Sequence, residues 1–282
     1  MKRIIKGALF NINGSLYYED RLFSGIAYEL QDEQIVQPFL VKNGVIGAPH
    51  LSPHVDDRAD LAHVDLSEVL SDYELPEYQG APFTGVAYAF LGDYCNREVR
   101  LDEGNPVLDT WWDRDGTLIG YERNVSSFGE IYAWYPSGAL KSFEISTNSS
   151  YTGYVTLSEN GQLEKIGSRK GFISSLGAIA ASSPYFPVSD FAQVLAYRAA
   201  AEVSILGGDF NDEVIGKMFA AGMFAETQTI ELIDTALTAA SLPALQGCSQ
   251  LKKIVIRKMD DGRKQALAAV AAANPRVQVE FK

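Results

Sequence analysis

Along the first 166 residues, apolar and polar positions alternate with a period of two, in short runs split by glycine turns. One phrase occurs three times: WDRDGTL at 112–118, WYPSGAL at 134–140 and TLSENGQL at 156–163. The central glycines, Gly116, Gly138 and Gly161, are 22 and 23 residues apart. Each follows Asp, Ser or Asn, the residue types that tolerate a tight hairpin turn. The flanks are aromatic and β-branched, as half-buried strands require. This spacing accommodates two strands and two turns, so it predicts a meander of repeated hairpins.

A second repeat has a 60-residue offset. LFSGIAYEL at 22–30 matches PFTGVAYAF at 82–90, within copies spanning 1–47 and 74–120. Phe23, Ile26 and Tyr28 supply packing in one, and Phe83, Val86 and Tyr88 in the other. Gly25 and Gly85 mark places where a neighbouring strand or ring comes close. Residues 48–73, with Pro49 and Pro53, break the alternation and read as an insertion between the copies.

From about residue 168 the period changes. Residues 171–182 and 188–201 carry small and apolar residues at helical spacing, with Ser189 or Asp190 as N-cap of the second. Short strand signals follow at Val203-x-Ile205, Ile230-x-Leu232, Ile254-x-Ile256 and Val277-x-Val279. Helical stretches at 212–225, 239–247 and 261–273 separate them, the last stopped by Asn274-Pro275. Strand, turn and helix at steps of 23–27 residues is the arithmetic of a short solenoid. The expectation is therefore an α+β chain: an antiparallel hairpin domain over 1–166, with its insertion at 48–73, then a helical linker and α/β solenoid over 167–282.

Of the net charge of −12, residues 1–165 hold 25 acids and 12 bases, while the remainder is nearly neutral. That field repels nucleic acid and anionic lipid and attracts a basic protein. No run of apolar residues approaches membrane-spanning length, and the N-terminal stretch is too short and polar for a signal peptide. Cys95 and Cys248 lie far apart and suggest no disulfide framework, which fits a reducing cytoplasm.

The hairpin phrases and the paired F(S/T)G(I/V)AY motifs resemble MORN-variant repeats of bacterial antitoxin and toxin-immunity proteins, over roughly residues 14–166. Residues 200–282 resemble a short leucine-rich repeat, although Gly208 and Thr235 stand where an Asn or Cys ladder residue is usual. These resemblances imply binding scaffolds with neither an active site nor a cofactor, whose partner is a cognate toxin domain or, alternatively, a non-toxin protein; the charge balance adds that a toxin partner presents a basic surface. On exposure logic, the surface comprises Glu19, Asp20, Trp111, Asp113, Asp115, Glu122, Glu130 and Tyr132, joined by Ser204, Glu231 and Arg257 on the solenoid strands.

Two chemical alternatives need separate tests. Asp113-x-Asp115-Gly116-Thr117 resembles the nucleophile loop of haloacid-dehalogenase-like phosphatases, with residues 208–212 as a later magnesium loop. Recurrence of the turn at Gly138 and Gly161 without aspartates favours a structural role. His50, His54 and His63 lie in the insertion near Asp56, Asp57 and Asp60, but flanking prolines disfavour the helix a His-x3-His metal site needs.

Overall fold

The computed structural model describes residues 1–31, 35–50, 61–69, 75–147, 150–169, 171–183, 185–241, 248–272 and 276–282. The chain forms two compact units, Met1–Ser126 and Ser127–Lys282. They part inside the run of hairpins; the change of pattern at 166 falls within the second unit.

The first unit contains β1 (Lys2–Ile5), β2 (Phe10–Ile12), β3 (Ser15–Tyr18), β4 (Arg21–Leu22), β5 (Gly25–Gln31), β6 (Ile35–Lys42) and β7 (Val45–Pro49). The second copy supplies β8 (Ala62–Asp65), β9 (Glu77–Tyr78), β10 (Ala81–Pro82), β11 (Gly85–Leu91), β12 (Tyr94–Asp102), β13 (Asn105–Trp112) and β14 (Leu118–Val125). β1 runs parallel to β5, with Lys2 opposite Gly25 and Ile5 opposite Tyr28. β8 runs parallel to β11 in the same register, Ala62 opposite Gly85 and Asp65 opposite Tyr88. The hairpins β5–β6 and β11–β12 are antiparallel. Each first strand also touches the other copy's hairpin, Ile4 opposite Tyr94 and Val64 opposite Ile35. The ladders β1–β5–β6–β8–β11–β12–β1 therefore close a six-stranded ring, which removes its own edges.

This closure changes the reading of the insertion. Residues 61–69 are the counterpart of residues 1–9: strand, then a 3₁₀ turn at Leu66–Glu68 matching the one at Lys6–Ala8. KRII and AHVD share no residue, so the equivalence appears only in pairing. Pro53, His54, Asp56, Asp57 and Asp60 lie outside the described residues.

The core repeats as well. Ile4, Leu9, Phe23, Ala27 and Val41 cluster in one half, and Val64, Val69, Phe83, Ala87 and Leu101 in the other. Between them Ile26, Tyr28, Val36, Val86, Tyr88 and Cys95 form a central cluster. At Gly25 an added Cβ would lie 2.4 Å from the Lys2 carbonyl oxygen and 2.6 Å from the Phe23 ring. At Gly85 it would lie 2.4 Å from both the Ala62 carbonyl oxygen and the Phe83 ring. Strand and ring both crowd the glycine, as the motif implied.

The three hairpin turns are equivalent. Asp113, Tyr135 and Ser158 N–H groups donate to the carbonyls of Thr117, Ala139 and Gln162. The N–H groups of Gly116, Gly138 and Gly161 donate in turn to the carbonyls of Asp113, Tyr135 and Ser158, at 2.8–3.0 Å. The glycines have φ of +77°, +84° and +79°, which side chains disfavour.

The second unit begins with β15 (Phe128–Trp134), β16 (Leu140–Thr147), β17 (Ser150–Leu157) and β18 (Leu163–Ser168), an antiparallel meander. β19 (Ala199–Leu206), β20 (Thr229–Ile233), β21 (Lys253–Arg257) and β22 (Gln278–Phe281) follow as parallel neighbours. Four α-helices occur among the described residues: α1 (Phe172–Ser182), α2 (Phe191–Leu195), α3 (Asp212–Ala220) and α4 (Asp261–Ala272). Asp190 caps α2 by accepting from Gln193 N–H, and Asn211 caps α3 by accepting from Val214 N–H. The helix expected over 188–201 stops at Leu195, and Ala199 already belongs to β19. The stretch 239–247 shows a 3₁₀ turn at Ala239–Ser241; residues 242–247, and the Asn274-Pro275 stop, lie outside the described residues.

The α+β expectation of hairpins followed by a solenoid is thereby corrected. Among the described residues, strands make up 50% and helix 18%. β18 pairs antiparallel with β17 on one side and parallel with β19 on the other, Lys165 opposite Ser204. The strand–turn–helix units thus extend a mixed β-sheet instead of stacking as a separate solenoid. The physical reason is that the last hairpin strand offers a free row of N–H and C=O groups, which the next strand satisfies. No helix among the described residues is long and apolar enough to cross a membrane.

Candidate functional site

The parallel strands of the second unit have two unlike faces. Val203, Ile205, Ile230, Leu232, Ile254 and Ile256 are buried. The helical crossovers α3 and α4 bury Ile215, Met218 and Leu267, as parallel β-structure requires. The alternate positions form a row across the ladder: Lys165, Ser204, Glu231, Val255 and Glu280 in register. Here Ser204 Oγ donates to Glu231 Oε2 at 2.9 Å, and Arg257 Nε lies 2.7 Å from Glu231 Oε1. Lys253 Nζ lies 2.9 Å from Glu280 Oε1, and this hydrogen bond holds the Glu280 carboxyl below its usual range. A cavity of about 640 Å³ opens along the row, lined by Gln162, Lys165, Glu202, Ser204, Thr229 and Glu231 among others. Ser204, Glu231 and Arg257, chosen from sequence, therefore form one hydrogen-bonded group. The Arg257 side chain remains 47% exposed, so its guanidinium has donors to spare.

The other sequence candidates are dispersed. Lys2 Nζ lies 3.3 Å from Glu19 and 4.0 Å from Asp115, which brings the turn at Glu19–Asp20 beside the one at Gly116. Asp20 is exposed, at φ +61°. Asp113 Oδ1 accepts from Thr117 N–H at 2.8 Å. Glu122, opposite Asp109 in the ladder, accepts from Asn124 at 2.8 Å. Trp111 is half-buried with the Arg97 guanidinium 5.4 Å from its ring. Glu130 and Tyr132 are 0% and 1% exposed. Tyr132 donates to Glu130 at 3.0 Å and lies 2.7 Å from Ser183 Oγ. Burial takes both residues off the surface, because β15 turns this side chain row inward.

Asp113 sits on a hairpin between antiparallel strands, without the strand-to-helix passage of a phosphatase nucleophile loop. Asp209 accepts from Ser168 Oγ at 2.7 Å and Gly171 N–H at 3.0 Å, closing the loop into α1. Among the described residues no group of three or more His, Cys, Asp or Glu could hold a metal ion. His54 falls outside those residues.

A second polar cluster, missed in the sequence, lies inside the six-stranded ring. Arg3 and Glu98, each 3% exposed, form an ion pair between Arg3 Nη2 and Glu98 Oε1. Tyr28 donates to the same Glu98 oxygen at 2.9 Å. The Arg3 guanidinium lies 4.2 Å from the Trp112 ring and 5.7 Å from the Tyr28 ring. His63 Nδ1 lies 2.7 Å from the Tyr88 hydroxyl, their rings stacked at 5.8 Å. Burial, followed by the Glu98 charge, pushes the Cys95 thiol up to about 12, so it stays protonated and unreactive. Glu98 Oε2, Arg3 Nε and His50 Nε2 are buried without a hydrogen-bond partner among the described residues. No local pattern marked them, since β1 and β12 carry further charged residues at neighbouring positions, Lys2, Arg97, Arg100 and Asp102.

No protein family matches the chain, and no curated protein is significantly similar to it. Among solved structures, it is similar to the complex of accessory secretory proteins 1, 2 and 3 of Streptococcus pneumoniae, at 12% identity and TM-score 0.20. The alignment covers 73% of this chain and 39% of that one. The glycosylation-associated Gap123 complex of Streptococcus agalactiae gives 11% identity and TM-score 0.20, covering 77% and 44%. TarM gives 10% identity and TM-score 0.18, covering 66% and 41%. This chain thus spans less than half the length of each, and TM-scores this low do not define a common fold.

Proposed function

We propose that this chain is a cytoplasmic immunity protein or antitoxin that neutralises a cognate toxin domain by binding it. The observation that carries this reading is the polar strand face of the second unit, where Ser204, Glu231 and Arg257 hold one another in place. A preordered group of this kind loses little side-chain entropy on docking. Arg257 presents unused donors at its rim. The charge balance supports a basic partner: residues 1–126 hold 21 acids against 10 bases. Such a field speeds encounter with a cationic surface at low salt. The MORN-like turn phrases supply the family context.

The test is co-expression with the C-terminal domain of a large secreted protein encoded beside this chain. Rescue of growth and co-purification are expected. Glu231→Lys and Arg257→Glu weaken the complex about 10-fold or more, in keeping with loss of a charged interface contact. A toxic domain that is neither rescued nor co-purified refutes the proposal.

A further inference from the structure

The two halves of the ring differ at one place. Offset by 60 residues, Arg3 corresponds to His63, Tyr28 to Tyr88 and Glu98 to Pro38. In the first set, a cation stacked near tyrosine meets a carboxylate, and the tyrosine hydroxyl donates to that carboxylate. In the second set, the imidazole stacks on the tyrosine and lies within hydrogen-bond distance of its hydroxyl, and proline stands where the carboxylate would be. In place of the missing side chain is a cavity of about 370 Å³, lined by Val36, Pro38, Phe39, Pro49, His50 and His63 among others. That volume lies at the low end of the range for small-molecule sites, roughly 300–1,000 Å³. His50 occupies the position of Thr110. Thr110 Oγ1 donates to the Glu98 carbonyl, whereas His50 Nε2 is buried with no hydrogen-bond partner among the described residues.

We propose that this cavity binds a small carboxylate, which takes the place that Glu98 fills in the other half. The chemistry follows the filled half. With His63 protonated, Nδ1–H donates to the Tyr88 oxygen, and Nε2–H is a second donor on a residue that lines the cavity. His50 Nε2 supplies a further donor. Because Val36, Pro38, Phe39 and Pro49 line the rest of the wall with Gln37 as its one uncharged polar residue, a carboxylate with a short apolar body fits better than a polyanion. Among the described residues, three charged or titratable groups bear on the proton the two imidazoles take up. Tyr88 lies beside His63 on β11, Glu98 on β12 favours the imidazolium, and Arg3 on β1 opposes it at His50. Burial lowers both histidines below the ordinary value, so the empty site is neutral at pH 7 and carboxylate binding draws a proton from solvent.

Calorimetric titration of the full chain with acetate, propionate and benzoate at pH 5.5 and 8, alongside imidazole ¹⁵N NMR, tests this. Saturable binding at pH 5.5 is expected, weakening about 10-fold per pH unit above the titration of the responding imidazole. Propionamide, which has no charge, does not bind. His63→Gln abolishes the pH dependence and weakens propionate at least about 10-fold, as loss of a charged hydrogen bond predicts. Pro38→Glu brings in the carboxylate of the other half and blocks the site; circular dichroism checks its fold, and His63→Gln stands alone if it fails. Equal binding of propionamide and propionate overturns the proposal. So does zinc uptake by the imidazoles without any response to carboxylates, or absence of saturation by all three acids.

Discussion

The two copies in the first unit use one backbone plan for opposite ends. In one crossing, Arg3 and Glu98 neutralise each other between strands β1 and β12. In the other, His63 faces Pro38 across an open cavity between β8 and β6. The outer strands diverge in the same way. β13 lies between β12 and β14 and buries Leu108, Asp109 and Thr110. Its counterpart β7 pairs only with β6 among the described residues, and is exposed along its length. The comparison teaches that the repeat conserves packing, through Phe-x-Gly-x-Ala-Tyr, while its polar positions are free to change.

Replacing Glu98 with Ala should break this contrast most severely. It leaves a guanidinium buried without its charge partner, which costs about 3–5 kcal/mol of unfolding free energy. Pro38→Ala, at the equivalent position, should change stability by less than about 1 kcal/mol, since Pro38 makes no buried ion pair. Urea denaturation of both variants checks the difference; equal losses would show that the two crossings are energetically alike. Next in size are Gly25→Ala and Gly85→Ala. Each Cβ meets a strand carbonyl and a phenylalanine ring, so each should cost about 1–3 kcal/mol, and by similar amounts. A large asymmetry between them would mean that the copies do not share their packing.

The smallest effect is the pH response. Burial lowers the pKa of His50 and His63 from the model-peptide value of 6.5. A base with a lowered native pKa leaves the unfolded chain holding more protons below that value. Their contribution to stability is therefore fully present above pH 6.5 and declines as the pH falls below it. His63→Gln should flatten this slope in denaturation series, and a saturating small carboxylate should flatten it too. A slope unchanged in His63→Gln would assign the titration elsewhere.

Much of the local structure is legible from residue order. Asp113, Tyr135 and Ser158 open identical turns because a glycine three residues later accepts positive φ. Gly25 and Gly85 are bare because strand and ring need the space. The four strand signals after residue 200 become β19 to β22, since their aliphatic pairs alternate with polar residues. The strand at 62–65 was not legible, because AHVD has little in common with KRII and only barrel closure makes them equivalent. The break at residue 168 marked a change of period but not an end of the sheet, for pairing on the far edge of β18 leaves no trace in local composition. Of the surface candidates, Ser204, Glu231 and Arg257 met on adjacent strands, whereas Glu130 and Tyr132 were turned inward by the face their strand presents.

Spacing and turn chemistry were enough to specify where strands start, bend and stop, because those preferences act within a few residues of the chain. Which strands become neighbours, and hence that Glu98 meets Arg3 while His63 meets Tyr88 beside a cavity, depended on ring closure between segments far apart in sequence. Burial then lowered the His63 pKa, since the cost of a charge is set by surroundings that no short stretch contains.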